Sequence, residues 1–206
     1  MNVLLLSPYP ERIARVISAT GDLAVAFNDR ISVDRLHKDG IDFIISYGYR
    51  YLIRSDVIAA CPGRIINLHI SFLPWNRGSD PNFWSFFDAT PKGVSIHRID
   101  AGLDTGPILA QEEIVFAPGE TLASSYEKLR HAVEALLAET WPSIRNGVQP
   151  VREQVGAATG HRSRDKDLFF ARLLDGWDSP VGLVEDMGRC HRAKLSAMEM
   201  TEMGGR

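Results

Sequence analysis

The 206-residue chain predicts an α/β fold: a doubly wound, Rossmann-like, mostly parallel sheet flanked by helices, followed by a short C-terminal extension. Three observations predict it. Short apolar runs of strand length alternate with amphipathic stretches of helical length, the pattern of βα units joined by right-handed crossovers. The run Arg64-Ile65-Ile66 leads into Asn67-Leu68-His69 between a Pro62-Gly63 stop and a break at Pro74, as a buried strand should. A composition of 45% hydrophobic and 24% charged residues suits one substantial globular core.

Residues 3–6 read as the first strand, and 11–19 as a helix carrying Ile13, Val16 and Ile17 on one face. A second apolar strand covers 23–27, a short helix 33–38 and a third strand 42–46. The helix at 55–60 takes Ser55 as its N-cap and stops at Pro62-Gly63. The strand at 64–69 follows, then a helix at 82–88 and two strands, 93–100 and 107–116, around an Asp/Gly-rich turn. After the N-cap Thr121, Leu122, Tyr126, Leu129, Val133, Leu136 and Leu137 recur at helical spacing, in a long amphipathic helix expected to end or kink near Pro142. From about Val151 the chain turns polar. Ser179-Pro180 then carries the cap-plus-first-turn signature of a last helix, with Leu183, Val184, Met187 and Cys190 on one side. The expected division is a catalytic domain over 1–150 and an extension with a short helical segment over 151–206.

Several function classes are excluded. Net charge is −3 with no long basic run, which argues against a nucleic-acid partner. Cys61 and Cys190 have neither metal spacing nor disulfide density, so a reducing cytoplasm is the simplest setting. The opening Met1-Asn2-Val3-Leu4-Leu5-Leu6 reads as a strand rather than a signal peptide, and no stretch approaches membrane-spanning length. The first βα turn, Ser7-Pro8-Tyr9-Pro10-Glu11-Arg12, has two prolines without N–H groups and no glycine, so a dinucleotide or P-loop phosphate site is not expected there.

Chemistry concentrates further along. Asn67 and His69 are two residues apart, so in a strand both side chains leave one face. Ser71, Leu73 and Pro74 follow, and Asp104 arrives in the turn Asp100-Ala101-Gly102-Leu103-Asp104-Thr105-Gly106. An amide can donate to a developing oxyanion, an imidazole can donate or shuttle a proton, and a carboxylate can orient or charge the imidazole, which suits acyl transfer. A lone strand histidine is often structural; the ordered set is what points to catalysis. His97, in mid-strand, reads as a hydrogen-bonded core or wall residue. His37, His131, His161 and His191 read as helix-surface or tail residues, and no spacing among them suggests a metal.

Asn-x-His-x-Ser-x-Leu-Pro with an Asp-x-Gly-x-Asp-x-Gly turn some way on resembles the folate-dependent formyltransferases, over roughly residues 1–150 and most strongly over 63–113. The resemblance implies a formyltransferase-like Rossmann core and transfer of a formyl group from 10-formyltetrahydrofolate to a primary amine, without a metal. It implies Asn67, His69 and Asp104 as the catalytic set. Tyr49, Arg50, Tyr51 and Ile53 would form one wall of the folate pocket, with Asp100, Gly102 and Leu103 opposite. Ser71, Trp75, Asn76, Arg77 and Asp80 would face the acceptor; an Arg can pair with phosphate or carboxylate. The first turn departs from the Gly/Ser-rich loop of the ribonucleotide-binding members, and too little chain follows Gln149 for the RNA-binding barrel of the methionyl-tRNA enzymes. The run 73–80 and the short tail most resemble bacterial sugar N-formyltransferases of the pseudaminic acid type. The expected acceptor is therefore a nucleotide-linked 4-amino-4,6-dideoxy sugar destined for a surface glycan, with the 75–80 loop and His161-Arg162-Ser163-Arg164 as candidates for its diphosphate. A carrier-bound aminoacyl group is the alternative acceptor, a non-catalytic folate- or nucleotide-binding module the alternative class, and a homodimer is left open.

Overall fold

The computed structural model describes residues 1–204. Its elements, in chain order, are β1 (Asn2–Leu6), α1 (Glu11–Ser18), β2 (Leu23–Phe27), α2 (Val33–Lys38), β3 (Phe43–Tyr47), α3 (Ser55–Ala60) and β4 (Ile65–His69). After these come β5 (Arg77–Gly78), α4 (Pro81–Phe87), β6 (Gly93–Arg98), β7 (Ile108–Glu113), α5 (Leu122–Arg145), β8 (Gly160–His161), α6 (Asp167–Phe170) and α7 (Val181–Gly204). Six strands form one sheet in the order β2-β1-β3-β4-β6-β7. The pairs β1–β2, β1–β3 and β3–β4 are parallel, while β6 and β7 close the far side as an antiparallel meander.

Each face of the sheet is buried by helices, which is why β1 and β3 are continuous apolar runs rather than alternating ones. Val3, Leu5, Ile45, Ile66, Leu68 and Ile96 pack under α1 and α5. Leu4, Leu6, Ile44 and Ile65 pack under α2 and α3. The chain order reverses between β1 and β3, so the carboxyl ends of these strands flank a crevice, the place where open α/β sheets bind ligands.

Four local expectations are corrected. Ser55 is the first helical residue of α3, and Arg54 occupies the N-cap without a side-chain cap bond. Pro142 does not end α5, which runs on to Arg145 with Trp141 and Ile144 buried on either side of the proline. Burial of that last turn outweighs the single backbone bond a proline removes. Ser179 does not cap α7: its hydroxyl is buried without a partner, its carbonyl accepts from Leu122 N, and the helix starts at Val181. The last helix is not short, because α7 runs for 24 residues.

Thr121 caps α5 as expected, accepting from Ser124 N while Ser124 Oγ accepts from Thr121 N. A third apolar cluster joins α4 to α7 through Phe83, Trp84, Phe87, Val181 and Val184. Gly188 sits where α7 crosses α4, and a Cβ there would collide with the carbonyl of Phe87. Gly188→Ala should therefore cost about 2 kcal/mol of stability, an overpacking penalty larger than the helix-propensity gain of losing a glycine. A urea-unfolding midpoint equal to or above that of the unaltered protein would show that the crossing can open without penalty.

Candidate active site

The site is set by β4. Because strand side chains alternate, Ile65, Asn67 and His69 share one face, and Asn67 and His69 lie where the strand runs out into the crevice. Antiparallel pairing sets His97 of β6 directly opposite Asn67, and therefore on the same face. The β6–β7 register shifts between Ile96 and His97, an irregularity of the kind that re-aims a side chain.

Asp104 closes the cluster from the turn between β6 and β7. Its backbone is left-handed, at φ 52°, a conformation a non-glycine residue keeps only when its surroundings hold it there. One carboxylate oxygen accepts from Gly78 N at 2.8 Å and lies 3.8 Å from His69 Nδ1. The other accepts from Asn67 Nδ2 at 3.3 Å and lies 3.5 Å from His97 Nε2. Burial pushes this carboxyl up, but His69 beside it, with His97 and the Gly78 amide, outweighs burial and holds it well below the usual carboxylate range. Asp104 is thus an anion under a pair of imidazoles.

The hydrogen bonds also define the rings. His69 Nε2 meets the carbonyl of Asn76 at 3.0 Å, so that nitrogen carries a proton, while Nδ1 faces Asp104. Nε2 is thus held by a hydrogen bond, while Nδ1, 3.8 Å from the carboxylate, is near it but beyond hydrogen-bond range. His97 Nδ1 donates to its neighbour's carbonyl, Arg98 O, at 2.8 Å, leaving Nε2 toward Asn67 and Asp104. His97 is therefore the wall residue expected, but a wall residue in contact with the cluster.

A cavity of about 830 Å³ opens over these side chains. Tyr49, Arg50, Tyr51, Ile53, Asp100, Gly102 and Leu103 all line it, as do Asn67, His69, His97 and Asp104. Of the expected acceptor-facing residues only Asp80 lines it, with its carboxylate paired to Lys166. Ser71 is buried and donates to Trp75 O; Trp75 stacks on Phe72. Asn76 is fully buried and donates to Thr90 Oγ1, and Arg77 donates to Gln154. These four are corrected to residues that build the loop: Ser71 is held by the loop backbone, Trp75 by stacking, and Asn76 and Arg77 by the side chains of Thr90 and Gln154.

In their place the structure brings up residues that the sequence pattern hid, together with three of the 161–164 candidates. Tyr9 from the β1–α1 turn and Tyr126 and Arg130 from α5 line the cavity, with Tyr9 and Tyr126 hydroxyls 3.1 Å apart and Arg130 stacked 4.5 Å over the Tyr9 ring. His161 is no tail residue: β8 pairs with β5 and lays it flat on Trp84, ring centroids 3.7 Å apart, with Nε2 2.7 Å from Asp88. Arg162, Ser163 and Trp177 line the cavity beside it. Among the described residues no cluster of His, Cys, Asp or Glu could hold a metal ion, and no helix is long and apolar enough to cross a membrane.

A doubly wound sheet with an amide, an imidazole and a buried carboxylate gathered at its carboxyl edge is an arrangement suited to group transfer of the acyl type. The chain belongs to the formyl transferase family, whose model matches residues 12–140. It is 40% identical to the formyltransferase PseJ from Anoxybacillus kamchatkensis, solved in complex with UDP-4,6-dideoxy-4-formamido-L-AltNAc and tetrahydrofolate, with a TM-score of 0.87 over 91% of this chain and 100% of that one. A 4-N formyltransferase from Francisella tularensis shares the fold at 18% identity and a TM-score of 0.74, over 91% of this chain and 85% of that one. A sugar N-formyltransferase from Shewanella does so at 18% identity and a TM-score of 0.73, over 91% and 86%.

Proposed function

We propose that this enzyme transfers a formyl group from 10-formyltetrahydrofolate to the primary amine of a nucleotide-linked 4-amino-4,6-dideoxy sugar. The observation that carries this reading is a cavity reaching the Asn67–His69–Asp104 cluster from both sides of the sheet. On one side Tyr49 and Ile53 rest on the core under α2 and α3; on the other Tyr9 rests on the core under α1 and α5. Two substrates can thus meet over one catalytic set. The PseJ complex, with a formamido nucleotide sugar and tetrahydrofolate bound, supports the same assignment.

The residues present fit a folate. The backbone of Arg50, Tyr51, Leu52 and Ile53 makes no hydrogen bond to other backbone among the described residues, so its N–H and C=O groups are left to pair with the alternating donors and acceptors of a pterin edge. Leu52 and Leu103, 80% and 51% exposed, offer the apolar surface an aromatic ring system would cover. The nucleotide sugar then takes the Tyr9, Tyr126, Trp177 side, where rings can stack on a base and His161, Arg162 and Ser163 can meet a diphosphate.

The co-substrate supplies an activated formyl carbon bound to N10. A new C–N bond to the sugar amine forms and the C–N10 bond breaks; the amine loses one proton and N10 gains one. Asn67 Nδ2 and protonated His69, through the Nδ1 that no hydrogen bond holds, donate to the oxygen on which negative charge develops. Asp104 holds His69 charged and, with it, relays the proton between the two nitrogens. In this reading residues 1–150 carry the chemistry, residues 151–206 complete the acceptor side, and the enzyme works in the cytoplasm on a precursor of a surface glycan.

The test is a panel of acceptors with 10-formyltetrahydrofolate, following tetrahydrofolate release and the N-formyl product by mass. UDP-linked 4-amino-4,6-dideoxy sugars should turn over, and the free amino sugars should be much poorer because binding energy from the nucleotide is lost. Inert nucleotide sugars alongside formylation of an aminoacyl thioester on a carrier would overturn the acceptor assignment. No turnover with any amine would overturn the enzymatic one.

A further inference from the structure

Gln154 lies beyond the region matched by the family model, in the irregular segment between α5 and β8. Its side-chain amide is saturated. Nε2 donates to Asp104 O and to Gly106 O, both at 2.8 Å. Oε1 accepts from Arg77 Nη2 at 2.7 Å and from Arg77 Nε at 3.2 Å. Two donors and two lone pairs are all that a primary amide has, and here each has a partner.

The two segments that Gln154 joins are those that meet in one catalytic hydrogen bond. Arg77 is the residue before Gly78, whose N–H donates to Asp104 Oδ2, and the other end of the tie is the carbonyl of Asp104 itself. We infer that Gln154 is a positioning residue for the Asp104 carboxylate: it clamps the left-handed turn at Asp104 to the β5 strand so that the carboxylate stays between Gly78 N, Asn67 and the two imidazoles. Neighbouring bonds hold the same strand in place: Arg77 N donates to Thr159 O and Ser79 N to His161 O. None of those reaches the Asp104 turn. Gln154 spans both, beside the Gly78–Asp104 bond itself.

A left-handed non-glycine residue relaxes when its surroundings stop over-determining it. Without the tie, Asp104 retains its charge but no longer holds one position, so what is lost is alignment at the reacting centre rather than substrate affinity. The inference rests on the reading of Asp104 as the charged member of the catalytic set.

The experiment compares Gln154→Ala, Gln154→Glu, Asp104→Asn and the double variant Gln154→Ala/Asp104→Asn, with thermal unfolding as a check on each. Gln154→Glu keeps the volume and the acceptor for Arg77 but sets a carboxylate against two carbonyl oxygens, so it isolates the Asp104 side of the tie. Both Gln154 variants should lower kcat about tenfold with KM for folate and acceptor changed less than about twofold, the pattern of an interaction made in the transition state. Their pH–rate profiles should shift in the same direction as that of Asp104→Asn. In the double variant the Gln154 change should cost little more, since residues acting as a unit are not additive. Equal losses with and without Asp104, or a KM effect alone, would assign Gln154 to general loop structure and overturn the inference. If Asp104→Asn itself leaves the rate unchanged, the catalytic reading fails instead, and the two failures are distinguishable.

Discussion

His69→Ala and Asn67→Ala each lower turnover by about 100-fold or more, because the lost groups act on charge that exists only in the transition state. Folate affinity, measured by equilibrium titration, changes little in either variant: neither side chain lies in the 49–53 segment or in the turn opposite it. His69→Ala is the more severe. It removes both a donor and the imidazole facing the buried Asp104 carboxylate, leaving that anion with Gly78 N, Asn67 and His97 as partners. Asn67→Ala removes one of those partners and leaves the imidazole in place. Near-normal turnover in both variants would mean that the oxygen which develops charge is held elsewhere in the cavity.

The fold was legible where side-chain periodicity and tertiary burial agree. Strand β2 and helices α2 and α3 have the bounds their sequence patterns predict, since in each the apolar spacing and the flanking stop residues point the same way. Legibility failed where a tertiary contact overrides a local rule. Pro142 is a helix breaker by propensity, but α5 carries it because Trp141 and Ile144 are buried around it. Ser179 looks like a cap, but its backbone is claimed by Leu122 N and by a bridge between Thr121 and Pro180.

At the site the division is similar. That Asn67, His69 and Asp104 come together was legible because two sit at strand spacing and the third lies in a turn with a recognisable Asp/Gly pattern. The loop after β4 was harder. Trp75, Asn76 and Arg77 have the chemistry of ligand-binding residues, and only the tertiary structure reveals that Trp75 stacks on Phe72 while the polar groups of Asn76 and Arg77 are spent on Thr90, Thr159 and Gln154. Gln154 could not be found from spacing, since it reaches the site from the irregular segment before β8. His161 reaches it through a two-residue parallel pairing of β5 with β8, and the one signal for it was the polar, basic character of residues 161–164. His97 could have been found by asking what an antiparallel partner of β4 sets opposite Asn67.

Asp104→Asn gives the other large effect, and its pH dependence separates charge from shape. The substitution preserves volume and still allows an oxygen to accept from Gly78 N, so the protein folds, but the anion beneath His69 and His97 is gone. Turnover falls by about 100-fold or more, the range for losing a positioned acid–base partner. The acidic limb of the pH–rate profile, where the depressed Asp104 carboxyl of the unaltered enzyme takes up its proton, is altered in the variant. Stability supplies an independent sign. The folded-state carboxyl of Asp104 is depressed, so its contribution is fully present above the ordinary aspartate value of about 3.9 and is lost as pH falls toward the depressed one. Urea midpoints of the enzyme and of Asp104→Asn, compared from about pH 6 to about pH 3, should therefore converge on acidification, the unaltered enzyme losing its advantage below about pH 4. A profile unchanged in rate and shape, with parallel stability curves, would make Asp104 a turn residue that only happens to lie beside two histidines.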